Sequence, residues 1–226
     1  MFMKYLVLFI LLNLNSVILA QDMQDNIWLF GHRPNRPIDY FGGSMIDFKQ
    51  GYPIVNFFNT SANFFDCSMI SDSNGKLLLY TNNCALYNGN HNIIPRSDSL
   101  NPGTVTYDYC YSVLGAYPSR SSTIILHEFD ENSLSIFHFG QLENTDPGLI
   151  YKTRIARKND TVFQLIEKSI LIDSFKTTEG IQAIRHGNGR DWWIVMHESS
   201  SNNFIKYLFT PGGLFGPFKQ ATGNTW

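Results

Sequence analysis

Hydrophobic and polar residues alternate in short runs along most of this chain. Clusters of Asn, Asp, Ser, Gly and Pro separate runs rich in Ile, Leu, Val, Phe and Tyr, which is the pattern of β-strands joined by turns. No segment carries a sustained i, i+3, i+4, i+7 apolar stripe, so the sequence predicts an all-β fold. The predicted strands span residues 27–31, 44–48, 53–58, 67–71, 76–81, 84–88, 122–129, 134–139, 149–157, 161–166, 170–175, 182–186, 191–197 and 204–210.

Two Asn-Gly pairs give the clearest turn signals. Asn188-Gly189 leads into the aromatic and β-branched run 192–195, and Asn74-Gly75 leads into the apolar run 77–80. Asn-Gly between apolar runs is the strongest short-range hairpin signal, and at 188–189 it predicts a type I′ turn with positive φ at both residues.

Units of this kind recur across groups roughly 40 to 50 residues apart, which is the period of known propellers. The pattern therefore favours a β-propeller-like array of antiparallel four-stranded blades, and a β-sandwich is the alternative.

The three cysteines differ in their surroundings. Residues 89–119 are rich in Asn, Ser, Pro, Gly and Tyr with little periodicity, which predicts a long loop. Cys84 and Cys110 flank the turn-rich part of this loop, whereas Cys67 falls inside a predicted strand. We predict a Cys84–Cys110 disulfide that contributes about 3 kcal/mol through loop closure. Three thiols that never pair are the alternative, because connectivity cannot be read from sequence.

The first twenty residues have the layout of a secretory signal peptide. Lys4 precedes the apolar run 5–12, a polar break follows at 13–16, and Ala20 is a small residue suited to cleavage. The apolar run is far shorter than the roughly 20 residues that span a bilayer, which argues against an uncleaved membrane anchor. We expect a mature protein that begins at Gln21, with one domain over residues 21–226, secreted or displayed at the cell surface.

Charge and composition narrow the range of possible binding partners. The formal net charge is -2, with 17 Lys and Arg against 19 Asp and Glu. This balance lacks the electrostatic footprint of nucleic-acid binding or of attachment to an acidic membrane surface. Aromatic residues make up 15% of the chain, which suits sheets whose faces carry large, half-buried side chains.

A metal or cofactor site is not expected. His186, His197 and Glu198 form the best candidate trio for a metal, but His186 and His197 flank a predicted hairpin. The chain has neither a His-Glu-x-x-His motif nor a pair of Cys-x-x-Cys motifs. Asp72 stands three residues before Gly75, which fits a turn whose side chain bonds its own backbone.

A hydrolase is the catalytic alternative. A glycosidase needs a pair of carboxylates. The motifs of other enzyme classes, a Gly-x-Ser-x-Gly elbow and a phosphate-binding loop, are not present in the sequence. The carboxylates that could supply such a pair are Asp47, Asp66, Asp108, Asp191 and Glu198.

One short segment gives the best candidate binding residues. Trp192 and Trp193 point to opposite faces if they lie on a strand, so one belongs to the core and the other could stack on a sugar or a partner. Arg190 and Asp191 precede them, and the four residues together form the candidate binding site. Asp191 could instead pair locally with Arg190.

Several of these segments, in this order and spacing, resemble the large secreted, sorting-domain-associated proteins of type IX secretion systems. The likeness covers residues 26–226. It implies secretion and a propeller-like ectodomain, usually followed by PKD-like or Ig-like repeats and a C-terminal sorting domain, and it implies no particular activity. The segments that carry it are 70–84, 87–88, His91, 98–103 and 185–193.

The chain departs from this family pattern after Leu214. Residues 218–226 look like the approach to a further strand, and no sorting domain follows. We therefore expect a portion of a longer propeller, with sheet edges and blade faces left unpaired. The expected function is a non-catalytic surface module for adhesion or for glycan or protein binding. A propeller-type carbohydrate hydrolase and a purely structural ectodomain are the alternatives.

Overall fold

The structure, a computed structural model, describes residues 23–31, 43–112, 115–130, 132–141 and 147–225. The predicted signal peptide (1–20), the cleavage position before Gln21 and most of the connection at 32–43 lie outside the described residues. Within them the chain is all-β, which confirms the predicted fold class. The described residues form four antiparallel sheets, one short α-helix and a single 3-10 turn at Met23–Asp25.

Each sheet is a meander of consecutive strands. Sheets 1 and 2 have three strands and sheets 3 and 4 have four, so the predicted four-stranded unit is found in half of them. Sheet 1 contains β1 (Ile27–Phe30), β2 (Gly43–Asp47) and β3 (Ile54–Phe58), and sheet 2 contains β4 (Ser68–Ser71), β5 (Leu77–Thr81) and β6 (Leu86–Asn88). Sheet 3 contains β7 (Thr123–His127), β8 (Ser133–Gln141), β9 (Pro147–Arg157) and β10 (Phe163–Ser174). Sheet 4 contains β11 (Thr177–Arg185), β12 (Trp192–Glu198), β13 (Asn203–Thr210) and β14 (Gly213–Ala221).

The sheets follow one another in chain order, with their first strands side by side. β1 contacts β4, β4 contacts β7, and β7 contacts β11. An apolar layer lies between each pair of successive sheets. Ile27 and Tyr80 belong to the layer between sheets 1 and 2, Leu79 and Ile136 to the next, and Phe139 and Ile194 to the last. Burying a side chain of this size stabilises the fold by about 1.5–3 kcal/mol.

The structure joins two predicted strands into one, extends another, and adds a strand that the sequence did not predict. The extended strand is β11, which begins at Thr177, five residues before the predicted strand 182–186. The segments 161–166 and 170–175, expected as separate strands, overlap the single strand β10, whose pairing with β9 passes through register shifts between Leu165 and Asp173. Ser169 adopts a positive φ of 50° within this bulged stretch, and its N–H donates to Thr153 Oγ1 at 2.9 Å. The fourth strand of sheet 4, β14, was not among the predicted strands.

The predicted Cys84–Cys110 disulfide is present, with a Cα–Cα distance of 5.6 Å, and Cys67 is a free, partly buried thiol. The prediction of an unstructured loop at 89–119 is wrong in part, because α1 (Thr104–Cys110) lies within it. The disulfide fixes the end of α1 to the residue that precedes β6 by two positions. Val105 and Tyr117 pack against Cys84 in a small buried cluster.

A buried polar network joins the same segment to sheet 3. The Asn101 side-chain amide donates to Asn83 O at 3.1 Å, and its Oδ1 lies 2.6 Å from His138 Nδ1. His138 Nε2 lies 3.0 Å from Thr153 Oγ1, so both ring nitrogens of this fully buried imidazole are engaged. Burial lowers the pKa of His138 to about 3, which keeps the ring neutral.

The predicted type I′ turn at 188–189 is wrong. Gly189 has a φ of 73°, but Asn188 is not among the residues with positive φ. The Gly189 N–H donates to His186 O at 2.9 Å. The two strands are joined outside this turn by a second backbone hydrogen bond, in which the His186 N–H donates to Asp191 O at 2.8 Å. The Asn188 side chain explains this longer loop, because its Oδ1 accepts from the N–H groups of Arg190 and Asp191, each at 3.0 Å.

Candidate functional site

The first strands of all four sheets line one cavity, which we call the inner groove. It encloses about 560 Å³. Because β1, β4, β7 and β11 lie side by side, residues far apart in the sequence meet here. The lining residues are Asp25, Ile27, Trp28, Leu29, Phe30, Cys67, Ser68, Met69, Thr123, Ile124, Ile125, Leu126, Gln182, Ala183 and Trp192.

Two aromatic side chains dominate the open part of the groove. Trp28 is 50% exposed and Phe30 is 52% exposed, whereas the alternate residues Ile27 and Leu29 are buried in the layer against sheet 2. Alternation along a strand places Trp28 and Phe30 on one face, about 7 Å apart along β1. Exposed aromatic faces at this spacing offer a flat apolar surface to a ligand.

Polar groups lie at the edge of this surface. Asp25 ends the 3-10 turn that precedes β1, and Gln182 lies on β11. The hydroxyl groups of the groove are engaged within the protein, since Ser68 Oγ donates to Thr123 O and Thr123 Oγ1 donates to Asn83 Oδ1. The Asp25 carboxylate and the Gln182 amide are therefore the side chains suited to bond a ligand.

A second cavity of about 370 Å³ adjoins the groove and shares Asp25, Met69 and Trp192 with it. The Arg185 guanidinium covers the Trp192 ring at 3.8 Å from the ring centroid and donates from Nη1 to Arg190 O at 3.0 Å. Trp192 Nε1 is buried and has no hydrogen-bond partner among the described residues. Such a donor is unusual in a folded protein, and here it lies beside two open cavities.

The four predicted binding residues do not form one site. Trp192 packs against the layer between sheets 3 and 4 and reaches the groove. Trp193 lies on the opposite face, where its ring centroid is 5.9 Å from that of Phe218. Arg190 and Asp191 form an ion pair within the hairpin loop, with Nε and Oδ1 2.8 Å apart. The hydrogen bond and charge of Arg190 lower the pKa of the Asp191 carboxyl, which makes the pair a turn-stabilising contact.

Three of the other acids named for the hydrolase alternative have structural partners. Asp47 Oδ1 accepts from Asn26 Nδ2 and from the Lys49 N–H, at 2.8 and 2.7 Å. Asp66 accepts from the Ser122 N–H at 3.0 Å. Glu198 accepts from Asn203, Lys219 and Ser201, and these bonds lower its pKa to about 2. Asp108 lies exposed on α1.

The two histidines of the metal-candidate trio, which the sequence did not favour as ligands, have other contacts. His186 Nδ1 accepts from the Asn188 N–H at 3.1 Å, and the His197 ring packs edge-on against Phe204. The part of the chain that the structure describes contains no group of three or more His, Cys, Asp or Glu arranged to hold a metal ion. Asp72 has the turn role expected for it, since its Oδ1 accepts from the N–H groups of Asn74 and Lys76.

The sequence did not single out Trp28, Phe30, Asp25 or Gln182. The alternation in β1 was visible, and it places two aromatic residues opposite the buried Ile27 and Leu29. The sequence does not show that β1 lies beside β4 and across the groove from β11. That position turns an ordinary strand face into the wall of a cavity.

The chain was compared with known proteins, and no family model, no curated protein and no solved structure matches it. Among the described residues, no helix combines the length and apolar character needed to span a membrane.

Proposed function

We propose that this chain is a non-catalytic, propeller-like binding module that acts outside the cytoplasm and binds a glycan in the inner groove. The observation that carries the proposal is the pair of half-exposed aromatic side chains, Trp28 and Phe30, at the point where the first strands of all four sheets meet. Ligand sites are typically concave, mostly apolar and aromatic, with a few polar groups that fix orientation.

The propeller-like arrangement is supported by the order of the sheets. In a propeller, each blade is an antiparallel meander whose first strand lies nearest the central channel. Here four consecutive meanders have their first strands side by side, and the inner groove occupies the place of that channel. A two-layer β-sandwich would instead bury one face of each sheet in a single common core, whereas this chain has separate apolar layers between successive sheets.

The chemistry of the groove favours a neutral glycan. Aromatic side chains such as Trp28 and Phe30 stack on the apolar faces of sugar rings, and the Asp25 carboxylate and Gln182 amide can bond sugar hydroxyl groups. The near balance of charge in the chain gives no general attraction for a polyanion. We therefore assign specificity to the shape of the groove and to these two polar side chains.

The number of carboxylates in the groove favours binding over hydrolysis. Glycoside hydrolysis ordinarily requires two carboxylates on either side of the scissile bond. Among the described residues that line the groove, Asp25 is the single carboxylate. Asp47, Asp66, Asp191 and Glu198, which the sequence offered as partners, are held in turns or in contacts between elements.

The extracellular location rests on two independent features. The Cys84–Cys110 disulfide fits an oxidising compartment, because cytosolic thiols are normally kept reduced. The first twenty residues have the layout of a signal peptide. The resemblance to secreted proteins of type IX systems supports the same location and suggests a role at the cell surface.

The test is a glycan array on the secreted chain, followed by calorimetric titration of the best ligand against two variants. Trp28→Ala should weaken binding at least about tenfold, a loss of about 1.4 kcal/mol. Tyr107→Ala is the matched control, because Tyr107 is 74% exposed on α1 and does not line the groove. If the two variants bind the glycan with equal affinity, the groove is not the binding site. If the chain releases reducing sugar from the glycan, its function is hydrolysis and not binding alone.

A further inference from the structure

Asn-Gly pairs occur in the chain at 74–75, 88–89 and 188–189. In such a pair the backbone nitrogen of glycine can attack the side-chain amide carbon of asparagine, because glycine has no side chain to hinder the approach. A succinimide ring forms and ammonia leaves. Water then opens the ring to aspartate or to isoaspartate, in which the main chain runs through the former side chain. The reaction needs no enzyme, so the surroundings of each pair decide whether it occurs.

The pairs at 74–75 and 188–189 lie in turns of the same kind. The Gly75 N–H donates to Asp72 O at 2.9 Å, and the Gly189 N–H donates to His186 O at 2.9 Å. The φ of Gly75 is 76° and that of Gly189 is 73°. The turn itself therefore does not distinguish the two pairs, whereas the asparagine side chains do.

The side-chain amides of Asn188 and Asn88 are held at both ends. Asn188 Oδ1 accepts from the N–H groups of Arg190 and Asp191, each at 3.0 Å, and Asn188 Nδ2 donates to Asp191 Oδ2 at 2.7 Å. Asn88 is buried, its Oδ1 accepts from two backbone N–H groups of the turn that follows it, and its Nδ2 donates to Thr161 O at 2.7 Å. These hydrogen bonds must break before the amide carbon can approach the glycine nitrogen.

Asn74 has different surroundings. It is exposed, and the part of the chain that the structure describes makes no hydrogen bond to its side-chain amide. Its backbone N–H is bound instead, by Asp72 Oδ1 at 2.9 Å, which keeps the turn in place while the side chain stays free to rotate. We propose that Asn74 is a self-modification site, which converts to isoaspartate or aspartate in the folded chain while Asn88 and Asn188 remain amides.

The isoaspartyl product would alter the support of a neighbouring element. Gly75 lies against Met23 and Asn26, and Asn26 Nδ2 donates to Gly75 O at 3.4 Å. Isoaspartate adds a carbon atom to the main chain just before Gly75 and so shifts it relative to these partners. The modification should therefore loosen the 3-10 turn Met23–Asp25 and lower the stability of the fold. This proposal does not depend on glycan binding in the groove.

The test follows all three pairs in one sample. The secreted chain is aged in a mildly alkaline buffer, and peptide mapping by mass spectrometry, with isoaspartyl methyltransferase labelling, measures the conversion of each asparagine. In the folded chain, Asn74 should convert at least about tenfold faster than Asn88 or Asn188, since each of these must first break several hydrogen bonds. In the chain unfolded in denaturant, the three should convert at similar rates, because each is followed by glycine.

Asn74→Gln is the matched variant, because it keeps an exposed amide but its longer side chain disfavours ring closure. Ageing should lower the melting temperature of the unaltered chain and leave that of Asn74→Gln unchanged. The proposal is overturned if Asn74 stays an amide in the folded chain, or if Asn88 or Asn188 converts as fast. If the aged chain carries isoaspartate at position 74 and melts at the same temperature as the aged variant, the loosening of the 3-10 turn is wrong.

Discussion

At the scale of single residues, Gly189 has a backbone conformation that other residues adopt with strain. Its φ is 73°, and no atom lies within 4 Å of the position that a Cβ would occupy. The cost of a side chain at this position is therefore conformational. Gly189→Val should lower the free energy of unfolding by about 1–3 kcal/mol, because a β-branched residue is disfavoured at positive φ. Denaturant unfolding of the variant measures the loss.

Gly187 provides the matched control for this prediction. It lies in the same loop with equally open surroundings, but it is not among the glycines with positive φ. Gly187→Ala should therefore leave the free energy of unfolding within about 0.5 kcal/mol of the original value. If both variants lose the same free energy of unfolding, the loop disfavours side chains for a reason other than the φ of Gly189.

His138 makes stability depend on pH. Its pKa is lowered from 6.5 to about 3 in the folded chain because burial disfavours the imidazolium. Between these values the unfolded state binds a proton that the folded state does not, so stability is complete above about pH 6.5 and falls as the pH decreases. The loss attributable to His138 approaches about 1.4 kcal/mol per pH unit, or about 2 kcal/mol at pH 5.

The measurement compares the unaltered chain with His138→Gln between pH 7.5 and pH 5. The variant should be less stable at pH 7.5, since its amide cannot match both bonds to Asn101 and Thr153, but its stability should change less with pH. His91, whose pKa is also lowered by burial, contributes in the same direction in both proteins. An NMR titration that protonates His138 above pH 5 in the folded chain would contradict the prediction.

At the scale of elements, the disulfide holds α1 against the start of sheet 2. It closes a loop with a sequence separation of 26 residues, which corresponds to about 3 kcal/mol of stabilisation by the chain-entropy estimate. The double variant Cys84→Ala with Cys110→Ala should lose about that amount in urea unfolding under non-reducing conditions. Cys67→Ala is the control because it removes a thiol without opening a loop. Identical unfolding midpoints for the double variant and the unaltered chain would show that the cross-link contributes nothing.

Most strands could be predicted because alternation and turn residues are local signals. β10 was divided because Glu167, Lys168 and Ser169 look like a turn, yet the adjacent β9 continues to pair with β10 on both sides of them. β14 was missed because it contains Gly216 and Pro217, which are breakers in most strands. An edge strand tolerates Pro, since its outward N–H needs no partner, and β14 is the edge of sheet 4.

Helix α1 was missed for a related reason. Its seven residues, Thr104–Cys110, are too few to show a periodic apolar stripe. Such a short helix is marginal in isolation, because nucleation is unfavourable and few hydrogen bonds follow it. Contacts of Val105 with Tyr117 and the Cys84–Cys110 disulfide hold it, and only the disulfide could be anticipated from the sequence.

At the scale of the whole molecule, the candidate site could not be predicted because it depends on contacts between sheets. The sequence drew attention to Trp192 and Trp193, since two adjacent Trp residues are conspicuous, and the structure brings only Trp192 to the groove. Trp28 and Gln182 are separated by most of the chain and meet because β1 and β11 are both first strands. Local periodicity identifies strand faces but not which faces meet.

The same arrangement predicts an order of stability among the sheets. Both faces of sheet 3 are covered by apolar layers, and residues 133–140 of β8 are buried throughout. Within the described residues, sheet 1 has one covered face, and its opposite face exposes Trp28, Phe30, Val55 and Phe57. In a row of units that contact only their neighbours, terminal units open more readily than interior ones.

Amide hydrogen exchange should therefore show stronger protection in β8 and β9 than in β1–β3. Leu29→Ala, which weakens the layer between sheets 1 and 2, should reduce protection in sheet 1 by more than it reduces protection in sheet 3. Uniform protection in all four sheets, reduced equally by Leu29→Ala, would indicate a single all-or-none unit, and the stacked sheets would then not open independently.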